Sequence, residues 1–180
     1  MLIKTRISMS LDGYISTPAG WPVVDVGPST EDDHGFTEYK AGCGAVVWGR
    51  TSFDQGFGGG WETWPWPDTP VYVLSSRPLP EQAGVFDGDA QVVGGGGAIR
   101  SLLGAGVLDR LEILIMPLLL GSGVPLFDQR PVPYTAEVWA SAADRPPAES
   151  LAGSLTSLEL LHHGHYADGF AELIYRRAEH

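Results

Sequence analysis

Three short segments of this chain combine glycine, hydroxyl and arginine groups in a way suited to holding phosphate. Gly94-Gly95-Gly96-Gly97 follows the apolar Gln91-Val92-Val93 and precedes a short helical stretch from Ala98 to Ala105. Bare backbone amides at a helix start can approach a diphosphate closely, and the helix dipole adds to the attraction. The run is not a GxGxxG fingerprint, because Ile99 stands where the third glycine would fall, and no Lys-Ser or Lys-Thr follows to make a P-loop. A four-glycine turn with a purely structural role is the competing reading. Gly49-Arg50-Thr51-Ser52 offers the same physics at a second strand end, with a planar cation able to grip phosphate, and Ser75-Ser76-Arg77 supplies a third. Any one of Arg50, Arg77 and Arg100 taken alone reads equally well as a solvated surface residue. Three anion-friendly ends on successive strands point to a ligand with more than one phosphate, a dinucleotide, preferably one with an extra 2′-phosphate.

Asp12, in Ser10-Leu11-Asp12-Gly13, is the acid best placed for proton chemistry. A carboxyl at the end of a first strand would face a cleft and could hydrogen-bond or protonate a substrate; a turn aspartate before glycine is the alternative. Glu31, Asp32 and Asp33 read as capping residues as readily as acids. His162, His163 and His165 invite a metal reading, yet the spacing implies no third ligand, so no metal is expected. Trp21, Trp61, Trp64 and Trp66 could stack a heterocycle or simply close a small core.

The elements that must position these groups follow from periodicity. Ile3, Thr5, Ile7 and Met9 alternate with Lys4, Arg6 and Ser8, as in a strand with one buried face. Breakers from Gly13 to Pro28 predict a long loop, and Ser29 and Thr30 before three acids predict the start of a short helix that Gly42 ends. Ala45 to Trp48 and Val71 to Leu74 read as strands buried on both faces, the first leading into a second helix. Gly56 to Pro70 reads as an ordered aromatic loop. Leu111 to Met116 is a further strand, a Pro117–Phe127 segment follows, and a Pro-rich link runs from Arg145 to Pro147. Thr156 to Tyr166 and Phe170 to Arg177, joined by Ala167-Asp168-Gly169, form an antiparallel hairpin. Strands that alternate with helices predict an α/β fold with a mostly parallel sheet, whose ligands bind at the carboxyl ends of the strands.

The 180 residues suffice for one domain, and 43% hydrophobic against 18% charged residues argues for a packed core. A net charge of −11 opposes nucleic acid and anionic membranes as partners. Cys43 is the only cysteine, so no internal disulfide forms. The start lacks the apolar core of a signal peptide, and no stretch reaches the roughly 20 apolar residues of a membrane span, so the expected location is the cytoplasm.

Taken in order, Ser10-Leu11-Asp12-Gly13-Tyr14-Ile15, Trp48-Gly49-Arg50-Thr51-Ser52-Phe53, Val73-Leu74-Ser75-Ser76-Arg77, Val93-Gly94-Gly95-Gly96, and Met116-Pro117-Leu118-Leu119-Leu120-Gly121-Ser122-Gly123 with Pro125-Leu126-Phe127 resemble the reductase domain of the bifunctional riboflavin-biosynthesis deaminase/reductase. The combination spans nearly the whole chain. The resemblance implies a dihydrofolate-reductase-like three-layer fold with helices on both faces of the sheet, NADPH as cofactor, and a homodimer. It implies that Gly49 to Ser52 and Gly94 to Gly97 lie near the phosphates and that Ser75 to Arg77 carry the 2′-phosphate. Asp12, Gly13, Leu120, Gly121 and Gly123 would border the pocket of a small heterocyclic or ribosylated hydride acceptor. True dihydrofolate reductase, a ligand-binding module without catalysis, and a purely structural dimerisation domain are the other readings.

Overall fold

The computed structural model describes residues 2–27, 30–55, 68–76, 89–127 and 156–178. The tryptophans expected in the aromatic loop, Arg77 and the Pro-rich link lie outside these residues. The described chain runs β1 (Ile3–Ser10), β2 (Tyr14–Ser16), α1 (Val23–Val26), α2 (Phe36–Ala41), β3 (Cys43–Gly49), α3 (Arg50–Gln55), β4 (Val71–Leu74), β5 (Asp89–Val93), α4 (Gly96–Gly104), β6 (Arg110–Met116), β7 (Val124–Pro125), β8 (Leu158–His165) and β9 (Ala171–Arg177). A seven-stranded sheet has the order β4-β3-β5-β1-β6-β9-β8. Its first five strands pair in parallel, and the β8–β9 hairpin adds antiparallel to β6. β2 and β7 form a separate two-stranded antiparallel sheet.

Two apolar layers cover the sheet. On one face Ile99 of α4 packs with Val92, Leu108, Leu111 and Ile113, and Ile3, Ile7 and Met9 of β1 join them. On the other, Val23 of α1 packs with Leu114, Met116 and Phe170, and Phe36 of α2 lies against the group. Helices therefore stand on both faces, as the sequence predicts. β4 differs from expectation: it is an edge strand with half-exposed residues, because no further strand pairs beyond it among the described residues. The described part of the Gly13–Pro28 segment is also more regular than a loop, since β2 gains a partner in β7 and α1 supplies a turn of helix.

Alternation in β1 misleads in an instructive way. Lys4, Arg6, Ser8 and Ser10, the polar face, are buried. The strand is central, and α2 closes over that face, so Arg6 must be neutralised where it sits. Its Nη1 donates to Glu112 of β6 at 2.6 Å, and its Nη2 donates to Glu172 of β9 at 2.6 Å and to the His34 carbonyl. Burial opposes the charge, yet the hydrogen bonds and charges of Glu112 and Glu172 outweigh it and raise the guanidinium pKa.

The start of α2 falls later than Ser29 and Thr30 suggest. His34 (φ 48°) and Gly35 (φ 75°) adopt the left-handed conformation, which a helix cannot continue, so the first helical residue is Phe36. Asp33 takes the capping part, accepting from the amides of Gly35 and Thr37 at 2.9 and 3.0 Å. Gly42 ends the helix as expected. His34 Nε2 meets Asp168 Oδ2 at 2.8 Å, and its ring stacks on Phe170 at 4.1 Å, tying the approach to α2 to the turn of the C-terminal hairpin.

Candidate active site

A cleft of about 1210 Å³ opens at the carboxyl ends of β1, β3 and β5. One side is built by Gly49, Arg50, Thr51 and Ser52 at the β3–α3 junction and by Gly94 to Gly97 at the β5–α4 junction. Two of the three segments singled out in the sequence thus share one wall. Their packing explains the glycines. Gly94 has φ 152°, and a Cβ there would sit 3.0 Å from the Gly49 amide nitrogen, so the two turns interlock backbone to backbone. Gly96 is pressed against the Pro125 and Leu126 carbonyls, where a Cβ would come within 2.8 and 2.7 Å. A Cβ on Gly95 or Gly97 would meet nothing within 4 Å, so these two leave open space at the start of α4. No side chain caps that helix end, and its first turn carries no acid. The Gly95 amide donates to Ser52 Oγ at 3.2 Å, which couples the two turns.

Arg50 adds a cation to this wall. Its Nε donates to Asp54 at 2.7 Å, while Nη1 is buried without a hydrogen-bond partner among the described residues. Ser75 and Ser76 are exposed just beyond β4, whose last residue Leu74 pairs with Gly49 and lines the cleft; the two serines themselves do not line it.

Opposite this wall, α1 and α2 present Val23, Phe36 and Lys40. Trp21 stands at the lip, 64% exposed, in a turn closed by mutual bonds between Thr17 and Trp21. The floor is polar and buried: Arg6 and Ser8 from β1, Gln91 from β5, and Trp48 from β3. The sequence reading missed Arg6 and Gln91 as floor residues. A usable signal existed, for Glu112 and Glu172 are lone acids inside apolar strands, and such acids imply a buried cation nearby.

Asp12, Gly13, Leu120, Gly121 and Gly123 come together, but beside the cleft and not on its surface. The Asp12 carboxylate accepts from Ser10 Oγ at 2.6 Å, the Gly121 amide at 2.7 Å and the Leu120 amide at 3.1 Å. Leu11 N donates to the Leu118 carbonyl, and Leu126 N to that of Gly13. Asp12 therefore latches the β1–β2 turn to the 117–121 segment, and only Ile15, Ser16 and Val124 of this neighbourhood reach the cleft. The Ser10 hydroxyl, helped by the two amides, holds the Asp12 carboxyl below the usual carboxylate range. Such a group keeps its charge at neutral pH and is a poor proton donor. Its hydrogen bonds stabilise the fold above the ordinary carboxylate pKa of about 4 and are lost as pH falls through the depressed folded value. Asp12→Asn, which offers one acceptor oxygen in place of two, should speed amide hydrogen exchange at Leu120 and Gly121. It should also flatten the acid limb of the melting temperature against pH. Unchanged exchange at both amides would refute the latch.

Among the described residues no group of three histidine, cysteine or acidic side chains could hold a metal ion, and no helix is long and apolar enough to cross a membrane.

The sheet order, the C-terminal hairpin and the cleft at the strand ends define the class: this is a dihydrofolate-reductase-like α/β protein. Within that class, residues 89–144 match the family model of the RibD C-terminal domain, which is the family that the sequence motifs resemble. The matched stretch contains β5, the Gly94–Gly97 half of the glycine wall, α4, β6 and β7. A Shewanella sp. PV-4 protein assigned to riboflavin biosynthesis superposes with a TM-score of 0.71 at 23% identity, covering 99% of this chain and 100% of that one. A pyrimidine reductase-like protein from Corynebacterium diphtheriae gives 0.59 at 14% identity, covering 99% and 92%. Dihydrofolate reductase from Enterococcus faecalis, complexed with NADP(H) and RAB-propyl, gives 0.58 at 17% identity, covering 99% and 97%. At these identities the likeness establishes the fold. None of the curated proteins matches the chain significantly.

Proposed function

We propose that the protein is an NADPH-dependent reductase that passes a hydride to a small heterocyclic or ribosylated acceptor, of the kind reduced in riboflavin biosynthesis. The observation that carries this reading is the glycine wall: two interlocked turns, one uncapped helix start and two glycines that leave open space in front of it. The family match over the Gly94–Gly97 half of that wall and the NADP(H) complex of a protein with this fold support the choice of ligand.

NADPH would supply the hydride from its nicotinamide ring. In this arrangement the amides of Gly96 and Gly97 and the Arg50 guanidinium would hold the diphosphate, and Thr51 and Ser52 would offer hydroxyls to the same group. Ser75 and Ser76, with Arg77, serve the 2′-phosphate. Phe36, Val23 and Ile15 add apolar surface beside the polar floor and would restrict water near the reacting carbon. Asp12 acts as a positioning residue through the 117–121 segment.

Trp21 at the cleft lip provides the readout. Titration with NADPH should quench tryptophan emission with a submillimolar Kd. Trp21→Phe should remove much of that change without altering the Kd measured by calorimetry by more than about threefold, roughly 0.7 kcal/mol. NADH should bind at least tenfold more weakly. No binding of either nucleotide would sink the reductase reading and leave a scaffold.

A further inference from the structure

Arg100 stands behind the glycine wall. It does not line the cleft, yet a Cβ on Gly96, which does, would lie 2.5 Å from Arg100 Nη1. The side chain therefore folds back by one turn onto the first residue of α4. There Nη1 donates to the Leu126 carbonyl at 3.0 Å and to the Pro125 carbonyl at 3.3 Å, the same two oxygens that crowd Gly96. Carbonyl oxygens carry partial negative charge, and beside the uncapped start of α4 they would oppose an anion. A guanidinium shared between them reverses the sign. The same bonds tie α4 to a second part of the cleft surface. Leu126 is fully buried; its carbonyl accepts from Arg100, and its amide donates to the Gly13 carbonyl at 3.0 Å. Gly13 follows Asp12, whose carboxylate holds the Leu120 and Gly121 amides. Pro125 pairs with Tyr14 between β7 and β2, from which Ile15, Ser16 and Val124 reach the cleft.

Deepening the reductase reading and resting on it, we propose that Arg100 is a positioning residue: it sets the diphosphate-binding end of α4 and carries cofactor occupancy through Leu126 to the β2–β7 pair. Arg100 touches neither the cofactor nor the acceptor. A diphosphate anchored on the Gly96 and Gly97 amides stiffens the first turn of α4. Because Arg100 fixes that turn against Leu126, the Leu126–Gly13 bond then opens less often. Coupling between two sites is reciprocal, so an acceptor that orders the β2–β7 pair tightens the dinucleotide by the same factor.

The test is amide hydrogen exchange by NMR on the full chain, with and without NADPH, together with calorimetric Kd values, for the wild type, Arg100→Met and Arg100→Lys. The Tyr166 amide, bonded within the C-terminal hairpin, reports the general stabilisation that any ligand gives. In the wild type, saturating NADPH should slow exchange at Leu126 about threefold more than at Tyr166. Arg100→Met should bind NADPH roughly tenfold more weakly and, at saturation, lose the extra slowing at Leu126. Arg100→Lys keeps the charge and a donor for the two carbonyls, so it should recover most of the affinity and part of the slowing. If NADPH binds the wild type but slows Leu126 no more than Tyr166, the proposal is overturned and the reductase reading stands. An Arg100→Met protein that melts lower yet keeps both its Kd and the slowing at Leu126 would make Arg100 a structural residue and overturn it too. Should Arg100→Met fail to fold, the wild type and Arg100→Lys decide: a lysine variant with no slowing and a wild-type Kd would also refute it. Absence of NADPH binding by the wild type would bring down the reductase reading, and this proposal with it.

Discussion

Arg6→Met should destabilise the protein by about 3–5 kcal/mol, which in a chain of this length lowers Tm by roughly 10 °C. Methionine fills nearly the same volume, so the loss is electrostatic. Glu112 and Glu172, with side chains 6% and 12% exposed, would be left facing one another with their cation removed. The His34 carbonyl would lose a donor as well, and with it one tie that seats the approach to α2. Arg6→Lys should recover only part of the loss, since one ammonium cannot reproduce a planar fork that reaches both carboxylates and a carbonyl. Neutralising the acids as well, in Arg6→Met with Glu112→Gln and Glu172→Gln, should restore much of the stability, because the penalty comes from uncompensated charge and not from the missing contact. Thermal melts of the four proteins decide the matter. An Arg6→Met variant that melts within a couple of degrees of the wild type would show that the buried network is held together by something other than this cation.

That network also marks the boundary of what the chain discloses before it is folded. Local signals carried the elements: valine runs for β3 and β5, the glycine stop after α2, the Asp168-Gly169 turn of the hairpin. The glycine wall was legible because backbone amides at a helix start follow from strand, glycine and helix in order, without any knowledge of neighbours. What alternation in β1 could not disclose is how many layers cover the strand. A strand at the sheet centre has both faces buried, and a polar face then signals a buried ion network and not solvent. The same limit applies to Gln91, which in the chain is an ordinary polar residue before two valines. Its burial shows only when β1 and β3 flank it. Asp12 shows the converse. Its motif was conspicuous, yet the acid turned out to be spent on two amides of a segment more than a hundred residues away. Long-range hydrogen bonds of that kind leave no periodic trace.

The glycine wall admits a test in which stability and binding move in opposite directions. Gly95 is the N-cap of α4, with φ −70° and ψ 174°, a conformation open to any residue, and a Cβ there meets nothing within 4 Å. Aspartate is among the favoured N-cap residues, because its carboxylate accepts from the free amides of the first turn and complements the helix dipole. Gly95→Asp should therefore leave Tm unchanged or raise it slightly. The same carboxylate would occupy the space and the amides that the diphosphate needs and would repel its charge, so NADPH affinity should fall roughly 100-fold, about 2.8 kcal/mol. Gly95→Ser supplies a capping hydroxyl without the charge and should cost about tenfold at most. High salt should narrow the gap between the two variants, since part of the effect is repulsion. Equal NADPH binding by wild type and Gly95→Asp would remove the cofactor phosphates from this end of α4, and a marked drop in Tm would mean that the space in front of Gly95 is needed by the protein itself.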